Sequence, residues 1–116
     1  MATLRSLLIH SRGDTAAMLS AALRSAVNAS TALDPGTVIH VVAQGPLVRF
    51  LAHESPLADE VDGLLGIPAV EILACENSMR SVGLAAADLL PGVGTVPSAV
   101  AYLAEQQWSG SAYVAV

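Results

Sequence analysis

The sequence contains no lysine, and its cations are five arginines that are spread along the chain. The formal net charge is −5. Because no basic cluster is present to neutralise a phosphate backbone, nucleic-acid binding is not expected. The absence of lysine also excludes a Schiff-base nucleophile and a Walker A phosphate-binding loop.

Charged residues are scarce as well. They make up 13% of the 116 residues, whereas hydrophobic residues make up 53%; the usual charged share is about 25%. The length fits a single domain over residues 1–116. Since a small domain normally needs charge to cover its surface, the shortage predicts that part of the surface is buried in a homo-oligomer.

Cysteine occurs once, at position 75, so no intramolecular disulfide can form. This favours a reducing, cytoplasmic location. No apolar run reaches the roughly 18–20 residues needed to cross a bilayer, so no membrane partner is predicted. His10, His40 and His53 lack metal-binding spacing, and neither a metal nor another cofactor is predicted. His40 is interpreted as a hydrogen-bonded core histidine and His53 as a surface residue.

The hydrophobic pattern alternates between strands and helices. Strands are predicted at 3–10, 37–44, 69–75, 93–96 and 111–116, and helices at 15–29, 46–54, 55–68, 76–83 and 97–108. Asp14 is the predicted N-cap of the first helix, and Ser55 that of the third. The alternation predicts an α/β fold with three layers, in which a five-stranded, mostly parallel sheet lies between helices. Trp108, at the end of the last helix, is interpreted as a packing residue.

Ligands of such sheets bind beyond the carboxyl ends of the strands. The first, second and third strands end near polar or small residues, which are therefore the candidate site residues. They are His10, Arg12, Gln44, Gly45, Cys75, Glu76, Asn77 and Ser78. Glu71, inside the apolar third strand, is expected either in solvent or paired across a subunit contact.

Cys75 has two open interpretations. It precedes a predicted helix, whose free amides and dipole favour a thiolate, which is the nucleophilic form. Glu76 opposes this because it disfavours a second negative charge nearby. Alternatively, Cys75 is an inert, small, buried residue, as free cysteines commonly are.

Three segments resemble the DsrE/DsrF-like family, a group of small sulfur-relay-type α/β proteins. They are "VVAQGPLVRFLA" (41–52), "GIPAVEILACENSM" (66–79) and "GLAAADLLPGVGTVPSAVAYLAEQQWSGSAYVAV" (83–116). The resemblance implies a DsrEFH-like five-stranded parallel sheet and assembly into trimers or hexamers. It also implies that Cys75 matches the cysteine that carries a persulfide, with Asn77 and Ser78 in supporting hydrogen-bond roles, and that donor and acceptor proteins exist.

Two functions are therefore carried forward. In the first, the protein is an intracellular sulfur carrier, and a partly exposed Cys75 transfers sulfur as a persulfide. In the second, it is a non-catalytic oligomeric module of the same fold, and a cleft at the carboxyl edge of the sheet binds a small ligand or an anion.

Overall fold

The computed structural model describes residues 5–116. The chain alternates between strands and helices over this whole range. The strands are β1 (Ser6–Arg12), β2 (Val38–Gln44), β3 (Val70–Cys75), β4 (Gly94–Val96) and β5 (Ala112–Ala115). The α-helices are α1 (Ala16–Ala32), α2 (Ala58–Leu65), α3 (Glu76–Ser81) and α4 (Ala99–Trp108), and two short 3-10 helices cover Pro46–Leu51 and Ala86–Asp88.

The five strands form one sheet in the order β4-β3-β2-β1-β5. Each neighbouring pair in this sheet is parallel. The predicted α/β class, with a five-stranded parallel sheet between helical layers, is confirmed. Parallel strands end at the same edge, so the carboxyl ends of β1, β2 and β3 lie side by side.

The two faces of the sheet are covered unequally. Successive side chains of a strand point to opposite faces, and on one face the strands pack against α1, α2 and the first 3-10 helix. On the other face the buried cluster is smaller. Among residues 5–116 it consists of Leu8, Val42, Cys75, Ala99 and Leu103. Its helical members come from α4, so this helix alone covers the buried part of the second face.

The structure corrects the start of the chain. β1 runs from Ser6 to Arg12 rather than over 3–10, so His10 and Arg12 belong to the strand itself; positions 3 and 4 of the prediction lie outside the described residues. Thr15, not Asp14, is the N-cap of α1, and its hydroxyl accepts the Met18 amide at 3.1 Å. The helix begins at Ala16, which leaves Asp14 one residue too early to reach this amide.

The segment between β2 and β3 also differs from the prediction. The helix predicted over 46–54 is a 3-10 helix that ends at Leu51. The next helix begins at Ala58, later than predicted, and Ser55 does not cap it. Instead, the Ser55 hydroxyl accepts the Leu57 amide at 3.0 Å, in the turn that precedes the helix.

The interpretation of Trp108 as a packing residue is wrong, because 82% of it is exposed. The buried residues of α4 are Ala99 and Leu103. A helix turns by about 100° per residue, which places Trp108 on the side opposite Ala99. Val100 is also exposed, at 65%. The outer face of α4 therefore presents large apolar side chains to solvent.

Candidate functional site

Cys75 ends β3 and is the N-cap residue of α3. It is 3% exposed, which corrects the expectation that a sulfur carrier would present it partly in the open. The cause of this burial is the first turn of α4. Ala99 packs on the cysteine within the same buried cluster, and its amide donates a hydrogen bond to Sγ at 3.4 Å.

The surroundings of the sulfur nevertheless favour ionisation. Burial raises the pKa of Cys75, but hydrogen bonds outweigh burial and hold the pKa below its ordinary value. The donors are the amide and hydroxyl of Ser78, followed by the amides of Ala99 and Asn77. A sulfur that accepts several N–H and O–H donors is stabilised as the thiolate, which is the reactive form.

Ser78 links the thiol to the end of the neighbouring strand. Its hydroxyl accepts the Gly45 amide at 2.8 Å, and its hydroxyl proton is free to bond to the sulfur of Cys75. Gly45 follows β2 with φ of 85° and ψ of −172°, a conformation that is essentially restricted to glycine. Cys75, Ser78 and Gly45 thus form a connected group between the start of α3 and the turn that follows β2.

A second polar group lies on the same face of the sheet. His10 Nε2 is 2.8 Å from Gln44 Oε1, and His10 Nδ1 is 2.7 Å from the Tyr113 hydroxyl. An amide oxygen only accepts, so Nε2–H donates to Gln44, and in the neutral ring Nδ1 accepts from Tyr113. Sequence reasoning missed Tyr113, because nothing in the pattern of the chain predicts that β5 pairs with β1.

Gln44 brings this second group next to the thiol. Ala43 and Ala74 are paired in register, so Gln44 and Cys75 occupy the next positions on their strands and point to the same face. The polar line across the sheet thus runs from Tyr113 through His10 and Gln44 to the position beside Cys75. The thiol and these side chains are neighbours on the sheet and are not hydrogen-bonded to each other.

The remaining candidate site residues lie outside the groups around Cys75 and His10. The Glu76 carboxylate accepts the Thr95 hydroxyl at 2.8 Å. The side-chain oxygen of Asn77 accepts a guanidinium hydrogen of Arg80. Arg12 is exposed at the end of β1. The structure therefore brings together two groups of candidates, around Cys75 and around His10, and leaves Glu76, Arg12 and the Asn77 side chain outside them.

Ala99 is the second contact near the thiol that sequence reasoning missed. The helix itself was predicted, over 97–108; it begins at Ala99, and the Ser98 hydroxyl caps it by accepting the Ala101 amide at 3.3 Å. What the pattern did not predict is that this helix start lies over Cys75. Only the packing of α4 on the sheet determines that contact.

The described cavities do not coincide with the thiol. One of about 490 Å³ lies between the end of α1 and β5, with Leu7, Leu33 and Val114 in its wall, and it includes none of the candidate residues. A hollow of about 170 Å³ lies beside α3 and is lined in part by Glu76 and Arg80. Of these two cavities, only the small one adjoins the carboxyl edge where a ligand cleft was predicted.

Residues 5–116 contain no cluster of three or more histidine, cysteine or carboxylate side chains suited to hold a metal ion. Among the helices of the same residues, none is both long enough and apolar enough to cross a bilayer.

The lowered pKa of Cys75 predicts a pH-dependent stability. Relative to Cys75→Ser, the wild-type protein is expected to gain free energy of unfolding as the pH rises from the lowered pKa of the folded thiol to the pKa of the unfolded thiol, because the folded thiol ionises first. This gain is complete above the unfolded pKa of about 8.5 and is lost as the pH falls through the folded pKa. Urea unfolding of both proteins in matched buffers measures it. A difference between them that stays constant with pH would contradict the assignment of a stabilised thiolate.

Comparison with known proteins identifies solved structures with a similar fold. No family model matches the chain, and no curated protein matches it. MTH1491 from Methanobacterium thermoautotrophicum, a protein of unknown function, is 28% identical over 97% of this chain and 99% of its own, with a TM-score of 0.87. The ychN protein from E. coli is 15% identical over 97% of this chain and 100% of its own, with a TM-score of 0.78.

A third structure has the same fold. BT1422 from Bacteroides thetaiotaomicron, described as a conserved protein of unknown function, is 18% identical over 96% of this chain and 94% of its own, with a TM-score of 0.74. The chain thus shares its fold with ychN and the two other proteins over almost its full length.

Proposed function

We propose that this protein is a sulfur carrier of the DsrE/DsrF-like type and that it holds sulfur as a persulfide on Cys75. The observation that carries the proposal is the place of the sulfur at the N-cap of α3, where the Ala99 amide donates to it at 3.4 Å and the donors of Ser78 and Asn77 help to hold its pKa below the ordinary value in spite of its burial. An inert core cysteine needs no such donors, whereas a thiol that exchanges sulfur must be present as the thiolate.

The transfer needs no cofactor. The Cys75 thiolate attacks the outer sulfur of a donor persulfide, R–S–SH. A new S–S bond forms, the S–S bond of the donor breaks, and its electron pair leaves with R–S⁻. In the second step an acceptor thiolate attacks the outer sulfur of Cys75–S–SH, which restores the Cys75 thiolate. The sequence has no second cysteine to resolve the persulfide, so donor and acceptor are separate molecules.

The assembly that we propose is inferred from the large apolar side chains that the isolated chain exposes. A homo-oligomer, a trimer or a hexamer by the resemblance, would cover apolar side chains such as Val100 and Trp108, which are 65% and 82% exposed in the isolated chain. The low charge content supports the same arrangement. We further propose that residues 1–116 act as one domain in the cytoplasm, where cysteines stay reduced.

Incubation of the native protein with a low-molecular-weight persulfide tests the function directly. Intact-mass spectrometry is expected to show the addition of one sulfur atom to the wild-type protein and none to Cys75→Ser, since Cys75 is the only thiol. Subsequent addition of a second thiol-containing molecule should remove the sulfur. A folded wild-type protein that stays unmodified while a control thiol is loaded would overturn the proposal.

A binding module without sulfur transfer is the second candidate, and the 3% exposure of Cys75 favours it. In that case the cysteine contributes packing and a sulfur acceptor for the Ala99 amide. Reaction of the native thiol with an aromatic disulfide separates the two candidates. Reaction near neutral pH supports the carrier, and reaction only after denaturation supports the module.

A further inference from the structure

Three polar side chains form a connected chain on the face of the sheet that α4 covers. Tyr102 lies on α4, and its hydroxyl is 2.5 Å from His40 Nδ1 on β2. His40 Nε2 is 2.9 Å from the Glu71 carboxylate on β3. A carboxylate only accepts, so Nε2–H donates to Glu71, and the neutral ring is left with Nδ1 to accept the Tyr102 hydroxyl. Glu71 thus pairs within the chain, although 63% of its side chain is exposed.

The Tyr102 hydroxyl stays protonated in this setting. Burial raises the pKa of Tyr102, and the Glu71 carboxylate raises it further. The hydroxyl therefore remains a hydrogen-bond donor well beyond neutral pH. Glu71, His40 and Tyr102 together fasten α4 to two central strands of the sheet.

Tyr102 is placed to control the position of α4 over the thiol. It follows Ala99 by about one helical turn, so the anchor on His40 and the amide bonded to Cys75 Sγ are on the same short stretch of helix. The apolar attachment of α4 involves few residues, since Ala99 and Leu103 are its buried residues and only Leu103 is large. The hydrogen-bonded chain adds a polar attachment to the apolar contacts that hold α4 beside Cys75.

We propose that Glu71, His40 and Tyr102 are positioning residues that hold α4 closed over Cys75 and so set how readily a solute reaches the sulfur. A carrier thiol that is buried must become exposed before it can react, and the opening of α4 provides that movement. This positioning role rests on the proposed function only for its biological purpose. Opening of α4 breaks the contact between Tyr102 and His40 and exposes the thiol. Closing of α4 restores this contact and buries the thiol again.

The two tyrosines of the chain provide a matched test. Each bonds through its hydroxyl to Nδ1 of a histidine, but Tyr102 lies on α4 and Tyr113 on β5. The native proteins are labelled with an aromatic disulfide at a series of pH values, and the rate is read on the plateau where the thiol is ionised. Tyr102→Phe is expected to react about fivefold faster than wild type, the effect of one lost hydrogen bond. Tyr113→Phe should stay within about twofold of wild type.

Labelling in low concentrations of urea separates local opening from global unfolding. A rate that is independent of urea identifies a local movement, which exposes little surface. A second variant, Glu71→Ala, removes the exposed carboxylate that accepts from His40. It should also accelerate labelling. The inference would be overturned if Tyr102→Phe and Tyr113→Phe were labelled at equal rates. It would also be overturned if the increase in labelling rate matched the loss in the variant's global free energy of unfolding.

The two proposals fail separately. If Cys75 is never loaded with sulfur but Tyr102→Phe still labels faster, the sulfur carrier is wrong and the positioning role stands. If loading succeeds and Tyr102→Phe labels at the rate of Tyr113→Phe, the carrier stands and the positioning role is wrong.

Discussion

Gly45→Ala is expected to lower the free energy of unfolding by about 3 kcal/mol, through backbone strain and a steric overlap. Gly45 has φ of 85° and ψ of −172°, which costs a residue with a side chain about 1–3 kcal/mol. A Cβ atom at this position would also lie 2.9 Å from the carbonyl oxygen of Gly13. That oxygen accepts the Leu47 amide at 3.0 Å, so it cannot move away without losing a hydrogen bond.

Gly63→Ala is the matched control for this prediction. Gly63 lies in α2, and a Cβ added there would meet no atom within 4 Å. Alanine is favoured over glycine inside a helix by about 0.5–1 kcal/mol, so this variant should be slightly more stable than wild type. Urea unfolding of the three proteins measures both effects. A loss below about 1 kcal/mol for Gly45→Ala would mean that the loop after β2 rearranges at little cost.

Gly45→Ala should also disturb the thiol site. The Gly45 amide donates to the Ser78 hydroxyl, and this hydroxyl is one of the groups that lower the pKa of Cys75. A shift of the loop would weaken that contact. Thiol labelling of the folded variant is therefore expected to be slower near neutral pH than labelling of wild type.

The fold was predictable because its local signals agree with one another. The stretch "TVIHVVAQ" is almost continuously apolar, and it forms β2, a strand covered on both faces. Glycine and proline after this strand mark its end, and capping residues precede α1 and α4. The helix bounds were less certain, since Asp14 and Thr15 are both good caps and only the start of α1 decides between them.

The candidate site was predictable only in part. Cys75 was placed correctly between a strand and a helix, because the local sequence predicts both the end of β3 and the start of α3. Its burial was one of two open interpretations, and the local sequence could not decide between them, since the burial depends on α4, which begins more than twenty residues later. The same reason applies to Tyr113 as the partner of His10. Such contacts arise from strand order and helix packing, and one sequence contains no direct signal for either.

Ser78→Ala is expected to raise the pKa of Cys75 and to slow its reaction near neutral pH. Burial raises the pKa of this thiol, so the lowering depends on the donors, and the amide and the hydroxyl of Ser78 are the first of them. The substitution keeps the amide and removes the hydroxyl. A hydrogen bond to a charged group contributes about 1.5–3 kcal/mol, so the thiolate population below the pKa should fall about tenfold or more.

The pH–rate profile of labelling with an aromatic disulfide measures this change. The midpoint of the Ser78→Ala profile should move to higher pH, and the rate should recover once the pH exceeds the new pKa. Ser81→Ala is the control, because Ser81 is exposed on the same helix and its hydroxyl bonds to the Asn77 carbonyl rather than to the sulfur. Its midpoint should match wild type. If Ser78→Ala and Ser81→Ala give the same midpoint, the hydroxyl of Ser78 does not stabilise the thiolate, and sulfur transfer by Cys75 loses its main physical support.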